Sequence, residues 1–291
     1  MKKFCIIINS DKDEDSKYAE FIKNEIEKLE GECYILPNRL IQDDVDRHYT
    51  DAALVQEGTD FALVLGGDGT LIQASIDLVS KNIPMLGVNI GTVGFLTEVD
   101  VEDILEALQK LFTGDYELEN RLMLEAVAHT AEGGESKVLY ALNDAVLFKR
   151  GNDRLITTSV YSDGELLDTY NADGVIISTP TGSTGYNLSA GGPVMVPDAD
   201  AVVVTPICPH SLNKRSIVLS TNETIKLSLD KTKEGFNDHG TLVMDGRSLI
   251  NMKTGDFVDI NVSKENSKFI KFKDKSFFKK MRRKFSSLVG E

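Results

Sequence analysis

Up to residue 118 the chain alternates short, wholly apolar runs with longer stretches whose apolar residues recur every three or four positions. A run that is apolar throughout fits a strand buried on both faces, whereas the three-to-four spacing lays one apolar stripe along a helix. On this basis residues 4–9, 33–36, 61–65 and 84–88 are expected to be strands, and 16–29, 45–57, 70–79 and 101–112 helices. Strands and helices alternating in this way imply a parallel sheet covered by helices, a doubly wound α/β domain.

Beyond residue 118 the helical spacing disappears. Short segments rich in Val, Ile, Thr and Tyr follow, separated by the turn-forming pairs Gly133-Gly134, Asp163-Gly164, Asp245-Gly246 and Gly255-Asp256. The expected layout is an α/β domain over 1–118, a mostly β domain over 119–271, and a basic helical tail over 272–291 that packs back on the first domain. No low-complexity linker separates the two main domains, so they are expected to pack closely with a cleft between them.

Composition narrows the function classes. The 291 residues are 41% hydrophobic and hold no apolar run near the ~18 to 20 residues that span a bilayer, so no membrane span is expected. The apolar run at the N-terminus, residues 4–8, is too short for a signal-peptide core. Cys5, Cys33 and Cys208 are odd in number and lack paired spacing, which implies no disulfide framework and a cytoplasmic setting. Cys208-Pro209-His210 has no second ligand pair and is not read as a zinc site. The net charge of −14 argues against nucleic acid or anionic lipid as a partner. Only the tail departs from this, with nine basic residues against Asp274 alone between 268 and 284. Its stripe of Phe277, Phe278, Met281, Phe285 and Leu288 is read as docking the helix on the protein body, a membrane-surface helix being the alternative.

Three segments carry candidate chemistry. Gly66-Gly67-Asp68-Gly69-Thr70 follows an expected strand and opens an expected helix, where unpaired N–H groups face a ligand and glycines let phosphate approach. A tight turn with an Asp helix cap would have the same local sequence. Between Asp51 and Asp100 the one cation is Lys81, so charge balance at a triphosphate calls for backbone amides and a divalent ion, Mg²⁺ or Mn²⁺. Asp68 is then either a metal ligand or a general base. The second segment, NIGTVGFLTEVD over 89–100, follows another strand where α/β sheets bind ligands. The third, DGVIISTPTGSTGYNLSAGGP over 173–193, runs from a strand into a turn dense in hydroxyls and glycines, suited to sugar hydroxyls and a planar base.

These three segments, together with LNDAV at 142–146 and FFKKMRRKF in the tail, resemble the NAD kinase family in order and spacing. GGDG alone is shared with lipid kinases; the third segment is far more specific. The resemblance implies transfer of the terminal phosphoryl group of ATP or polyphosphate to the adenosine ribose 2′-hydroxyl of NAD. It implies Asp68 as proton acceptor, with Gly66, Gly67 and Gly69 at the nucleotide, and Asn143 with Asp144 on ribose hydroxyls. Arg154, Asn171 and Asp173 fall on further family contacts, as do Thr184, Gly185, Tyr186, Asn187, Leu188 and Ser189. Arg247 stands where Gln is common, Gly185 where Ala is usual and Asn187 where Ser is frequent. A homo-oligomer, tetramer or dimer, is also implied.

His48, His129 and His239 have no nucleophile or acid at motif spacing and are read as structural, as is His210 within ICPHSLNKRS. Two rivals stand beside the kinase reading. A lipid kinase would share GGDG but has no use for the third segment, and a nucleotide-sensing module without turnover would be expected to lack Asp68.

Overall fold

The computed structural model describes residues 1–8, 16–36, 38–42, 47–91, 94–151, 154–211, 215–232, 235–273 and 276–288. The chain forms two compact units: Met1–Gln42, His48–Arg121 and Glu265–Glu291 make the first, and Leu122–Lys264 with Asp43–Arg47 the second.

The first unit is built on a seven-stranded sheet. Its order runs Glu32–Leu36, Lys3–Ile8, Phe61–Gly66, Met85–Asn89, Ser267–Lys271, Glu117–Arg121, with Val99–Asp100 also paired to Met85–Asn89. All pairings are parallel except that of Ser267–Lys271 with Glu117–Arg121. The central strands are buried residue after residue because helices cover them: α1 (Lys17–Lys28) and α3 (Ile104–Thr113) send Ala19, Ile22, Ile26, Ile104, Leu108 and Leu111 onto Phe4, Ile6, Leu63 and Leu86. α2 (Asp68–Asp77) follows the strand Phe61–Gly66 directly. Residues 119–121 and Ser267–Lys271 are expected from the sequence in the β domain, but Ser267–Lys271 hydrogen-bonds to Glu117–Arg121 at this sheet's edge, which draws both into the first unit.

The helix expected over 45–57 does not form. Arg47–Thr50 is a strand paired with Asn38–Gln42, and Ala52–Leu54 is a single 3₁₀ turn; residues 45 and 46 lie outside the described residues. The buried Asp77 carboxylate accepts the amides of Tyr49 and Thr50 at 3.0 and 2.9 Å and lies 3.1 Å from His48 Nδ1. A buried anion needs such donors, and an extended segment supplies them where a helix would spend them internally.

The second unit is a sandwich of two six-stranded antiparallel sheets. One is ordered Leu139–Ala141, Leu124–His129, Phe257–Val262, Ile225–Asp230, Ile156–Ser162, Glu165–Ala172; the other Ile217–Ser220, Ala201–Ile207, Gly174–Ser178, Asp144–Lys149, His239–Met244, Ser248–Lys253. Alternate residues such as Val160, Leu227 and Ile260 from the first meet Leu147, Val175 and Leu242 from the second in one dry core. Among the described residues its one α-helix, α4, is four residues long, Tyr186–Ser189, and follows a 3₁₀ turn at Gly182–Thr184.

The tail helix α5 (Phe277–Leu288) is tied to the first unit by charge. Lys280 Nζ donates to the Thr97 carbonyl at 2.8 Å and to Glu98 Oε2 at 2.9 Å, while Lys271 Nζ reaches the same Oε2 at 3.0 Å. The side chains of Phe285 and Leu288, expected in the docking stripe, lie outside the described residues. Burial alone would raise the Glu98 carboxyl, but Lys271 and Lys280 override it and hold it below the ordinary range. This stabilisation is therefore fully present above the unfolded carboxyl's pKa and is lost as pH falls through the lower folded value. Glu98→Ala leaves two ammonium groups facing an emptied site, and a loss of about 3 kcal/mol is expected from urea unfolding; a loss under about 1 kcal/mol would mean the triad does not hold the tail.

Candidate active site

The strand Phe61–Gly66 emerges into Gly66-Gly67, and α2 begins at Asp68, so the N–H groups of Gly67, Asp68 and Gly69 at its start have no partner within the helix. Gly67 caps the helix in an extended conformation without a side chain, and an added Cβ on Gly69 would meet nothing within 4 Å, which leaves an open, glycine-lined approach to the positive end of α2. Gly66 has the opposite constraint: a Cβ there would lie 2.4 Å from Thr70 Oγ1.

The Asp68 carboxylate does not cap its own helix. It reaches across to the second segment and accepts the amides of Phe95 at 2.7 Å, Leu96 at 3.0 Å and Thr97 at 3.4 Å. Gly94 makes this possible, since a Cβ on it would sit 1.8 Å from Asp68 Oδ1. Asn89 folds the start of the same loop, accepting from Gly91 N at 3.2 Å and donating to Gly91 O and to Asp100 Oδ1 at 3.0 and 2.8 Å. Thr92 and Val93 lie outside the described residues. The glycine turn and the second segment, separate in sequence, are thus one hydrogen-bonded body.

A cation does stand at this turn, contrary to the charge balance read from residues 51–100 alone. Lys284 of α5 brings its Nζ to 4.0 Å from Asp68 Oδ2 and 4.6 Å from the centre of the Phe95 ring. Nothing local in the sequence could reveal it, because it comes from the far end of the chain. Among the described residues no three His, Cys, Asp or Glu side chains converge on a point where they could cage a metal. Asp68, with three amides already on its oxygens, offers at most a single protein ligand to a divalent ion.

In the second unit, Asn143 and Asp144 line a cavity of about 370 Å³ together with Tyr186, Asp245 and Gly246, and Val146, Phe148 and Val243 supply an apolar wall. The hairpin turn at Asp245 and Gly246 has left-handed backbone at both residues, φ 48° and 71°. This aims the Asp245 carboxylate at the amides of Leu142, Asn143 and Asp144, at 2.6, 2.9 and 2.9 Å. Asp245 is the functional residue that sequence reasoning missed: it was legible as a turn, and nothing in its local sequence points to Asn143.

Two carboxyls therefore share one cavity wall. Burial, and then the charge of Asp245, pushes Asp144 up to about 7. Burial also lifts Asp245, to about 6, against the pull of its three amides and of Arg247. Arg247 is itself buried, at 4% exposure, so this departure from the common Gln acts on Asp245 as a nearby positive charge.

The third segment clamps onto the Asn143–Asp144 strand start. Thr179 N donates to Asn143 O at 2.9 Å, Thr179 Oγ1 donates to Leu142 O at 2.6 Å, and a Cβ on Gly182 would lie 2.2 Å from Asn143 O. Many of its hydroxyls, expected for sugar recognition, are spent inside the turn: Ser183 Oγ on Pro180 O and Thr184 Oγ1 on Thr181 O. Asn187 is fully buried, its Nδ2 donating to Ser183 O and Pro193 O while its Oδ1 accepts from Thr205 Oγ1. A polar turn that packs this tightly must satisfy its own groups. What it presents to the cavity is Tyr186, 47% exposed.

The other expected contacts stand elsewhere on the unit. Gly185, Leu188 and Ser189 belong to the α4 turn without lining the cavity. Arg154 donates to Asp238 Oδ1 at 3.4 Å and stacks 4.6 Å from the Phe236 ring. Asn171 is exposed, with its carbonyl accepting from His210 N at 2.8 Å. Asp173 pairs with Lys149 at 2.7 Å.

Comparison with known proteins agrees with both halves. Residues 4–116 match the ATP-NAD kinase N-terminal domain and 142–272 the ATP-NAD kinase C-terminal domain. The NAD kinase of Lachnoclostridium phytofermentans is 40% identical over 98% of this chain and 99% of its own. That of Lachnospira eligens is 40% identical over 98% and 100%. Among solved structures, a yeast NADH kinase complexed with NADH shares the fold at TM-score 0.87 and 22% identity, over 98% of this chain and 88% of its own. An NAD kinase from Archaeoglobus fulgidus in complex with ATP aligns at TM-score 0.75 and 25% identity, over 96% and 98%.

The raised carboxyls set a pH signature. A folded state that holds protons more tightly than the unfolded chain loses stability as pH rises from about 4 to about 7. Asp144→Asn removes one carboxyl and the repulsion with it. Between pH 5 and pH 8 the variant is expected to gain roughly 1–3 kcal/mol on the parent in urea unfolding; parallel pH profiles for the two proteins would contradict the shared carboxyl site.

Proposed function

This chain belongs to the NAD kinase family, enzymes that phosphorylate NAD, and on that premise we propose how its residues divide the work. The donor is ATP, whose phosphates meet the unpaired amides of Gly67, Asp68 and Gly69 at the start of α2. The acceptor is NAD, with the 2′-hydroxyl of its adenosine ribose as nucleophile. Asn143 and Asp144 hold the ribose hydroxyls, and Tyr186 offers its ring as a wall of the adenosine pocket.

Transfer of a terminal phosphoryl group leaves little covalent work for a protein beyond positioning and charge compensation. Asp68 accepts or orients the proton of the 2′-hydroxyl. The observation that carries this role is its clamp: three amides fix the carboxylate in one orientation without adding a proton, which suits a base that must be aimed. The divalent ion, Mg²⁺ or Mn²⁺, is read as part of the ATP substrate, because the described residues form no cage for it. At neutral pH the raised Asp144 carboxyl carries its proton for much of the time, so it both donates to and accepts from a ribose hydroxyl.

No helix among the described residues is long and apolar enough to cross a membrane, and Cys5, Cys33 and Cys208 are all free thiols. These features support a cytoplasmic enzyme, and family membership supports a homo-oligomer, dimer or tetramer.

Purified protein with ATP, Mg²⁺ and NAD is expected to form NADP, read by a coupled NADP-specific dehydrogenase. Asp68→Asn keeps the side chain's size and one acceptor oxygen, turns the other into an N–H donor and cannot take the proton, and should lower kcat by about 10²–10⁴. Wild-type protein that binds NAD but makes no NADP from ATP or polyphosphate would sink the kinase reading, and an unaffected Asp68→Asn enzyme would sink the role of Asp68.

A further inference from the structure

α5 is more than a clasp closing the first unit. Lys280 and Lys284 are four residues apart and so lie on the same face of the helix, one turn from each other. Lys280 is sunk on the Thr97 carbonyl and the Glu98 carboxylate, within the loop whose amides hold Asp68. The loop from Gly94 to Glu98 is thereby gripped by Asp68 through its amides and by α5 through a carbonyl and a side chain. One turn beyond this anchor, Lys284 lies over the Phe95 ring at 4.6 Å and within 4.0 Å of Asp68 Oδ2, its side chain 39% exposed.

We propose that Lys284 is the phosphate-binding cation of the donor site, delivered to the GGDG turn by α5 and held there by the Lys280–Glu98 anchor. A triphosphate at the start of α2 brings several negative charges beside the Asp68 carboxylate, and Lys81 is the one cation in the sequence from Asp51 to Asp100. Amides and the helix end supply only partial charges. An ammonium group on a long flexible stem, lodged on an aromatic face beside the carboxylate, can turn toward a phosphate oxygen. Lys280 cannot take this part, because both of its partners are buried protein groups; it positions, and Lys284 binds. Desolvation also pulls the Lys280 ammonium below its ordinary range, and its pairing with Glu98 opposes that pull.

The inference rests on the GGDG turn being the donor site, so its test needs a reading that turnover does not supply. Binding of inorganic tripolyphosphate to the full chain, followed by calorimetry, is one; steady-state kinetics with ATP and NAD is the other. Lys284→Ala is expected to weaken tripolyphosphate binding and to raise KM for ATP, each at least about tenfold, with KM for NAD and the melting temperature unchanged. Lys284→Arg should recover most of the loss, and Arg282→Ala, an exposed cation of the same helix, should change neither. Unchanged tripolyphosphate binding in Lys284→Ala, no binding by the wild type, or an equal loss in Arg282→Ala would each overturn the proposal. Loss of ATP and NAD affinity together with a lowered melting temperature would overturn it too, marking Lys284 as structural. A wild type that binds tripolyphosphate through Lys284 yet makes no NADP would leave this inference standing and remove the kinase reading instead.

Discussion

The first unit's chemistry depends on one carboxylate and three amides. An Asp placed at the start of a helix ordinarily caps that helix or faces solvent. Asp68 instead spends its oxygens on Phe95, Leu96 and Thr97, so its side chain does not cover the N–H groups of Gly67, Asp68 and Gly69 at the start of α2. The arrangement demands a residue without a side chain at Gly94, where a Cβ would lie 1.8 Å from the carboxylate. Because the same loop carries the buried Glu98, the orientation of Asp68 is coupled to the sheet, through Lys271, and to the tail helix, through Lys280. In the role proposed for Asp68, a carboxylate whose position is set by so many groups loses little freedom when the reaction begins.

The second unit repeats the device. Asp245, at the tip of a hairpin, collects the amides of Leu142, Asn143 and Asp144 and so holds the Asn143–Asp144 corner open toward the cavity. Here the cost is different, since a second carboxyl stands beside the first. Their repulsion and their burial keep a proton at the pair well above the usual carboxylate range. A corner that can donate as well as accept suits a diol better than two bare anions would.

The legible part of the structure was whatever repeats locally. The buried runs at 61–65 and 84–88 have no polar residue to turn outward, so a central parallel strand was the one element they fitted. The helix over 45–57 failed because its competitor, the Asp77 carboxylate, lies outside any window that periodicity reads. Within the sites, glycine-rich turns and the Asn143-Asp144 pair were visible as motifs, whereas Asp245, Gly182 and Lys284 act through contacts distant in sequence. The hydroxyl-rich turn was legible as a motif but not in its internal bonding. Its Ser and Thr groups looked like ligands for sugar, and the hydroxyls of Ser183 and Thr184 bond carbonyls within the turn, while Tyr186 faces the cavity.

The measurement closest to the central claim is NADP formation by Gly94→Ala, made alongside a urea-unfolding curve. The substitution touches no proposed substrate contact; it only pushes the loop off the Asp68 carboxylate. The account predicts a folded protein whose kcat with ATP and NAD falls by at least about 10², as expected when an aimed base is displaced by an ångström. A Gly94→Ala enzyme with wild-type turnover would show that the clamp on Asp68 has no part in the chemistry.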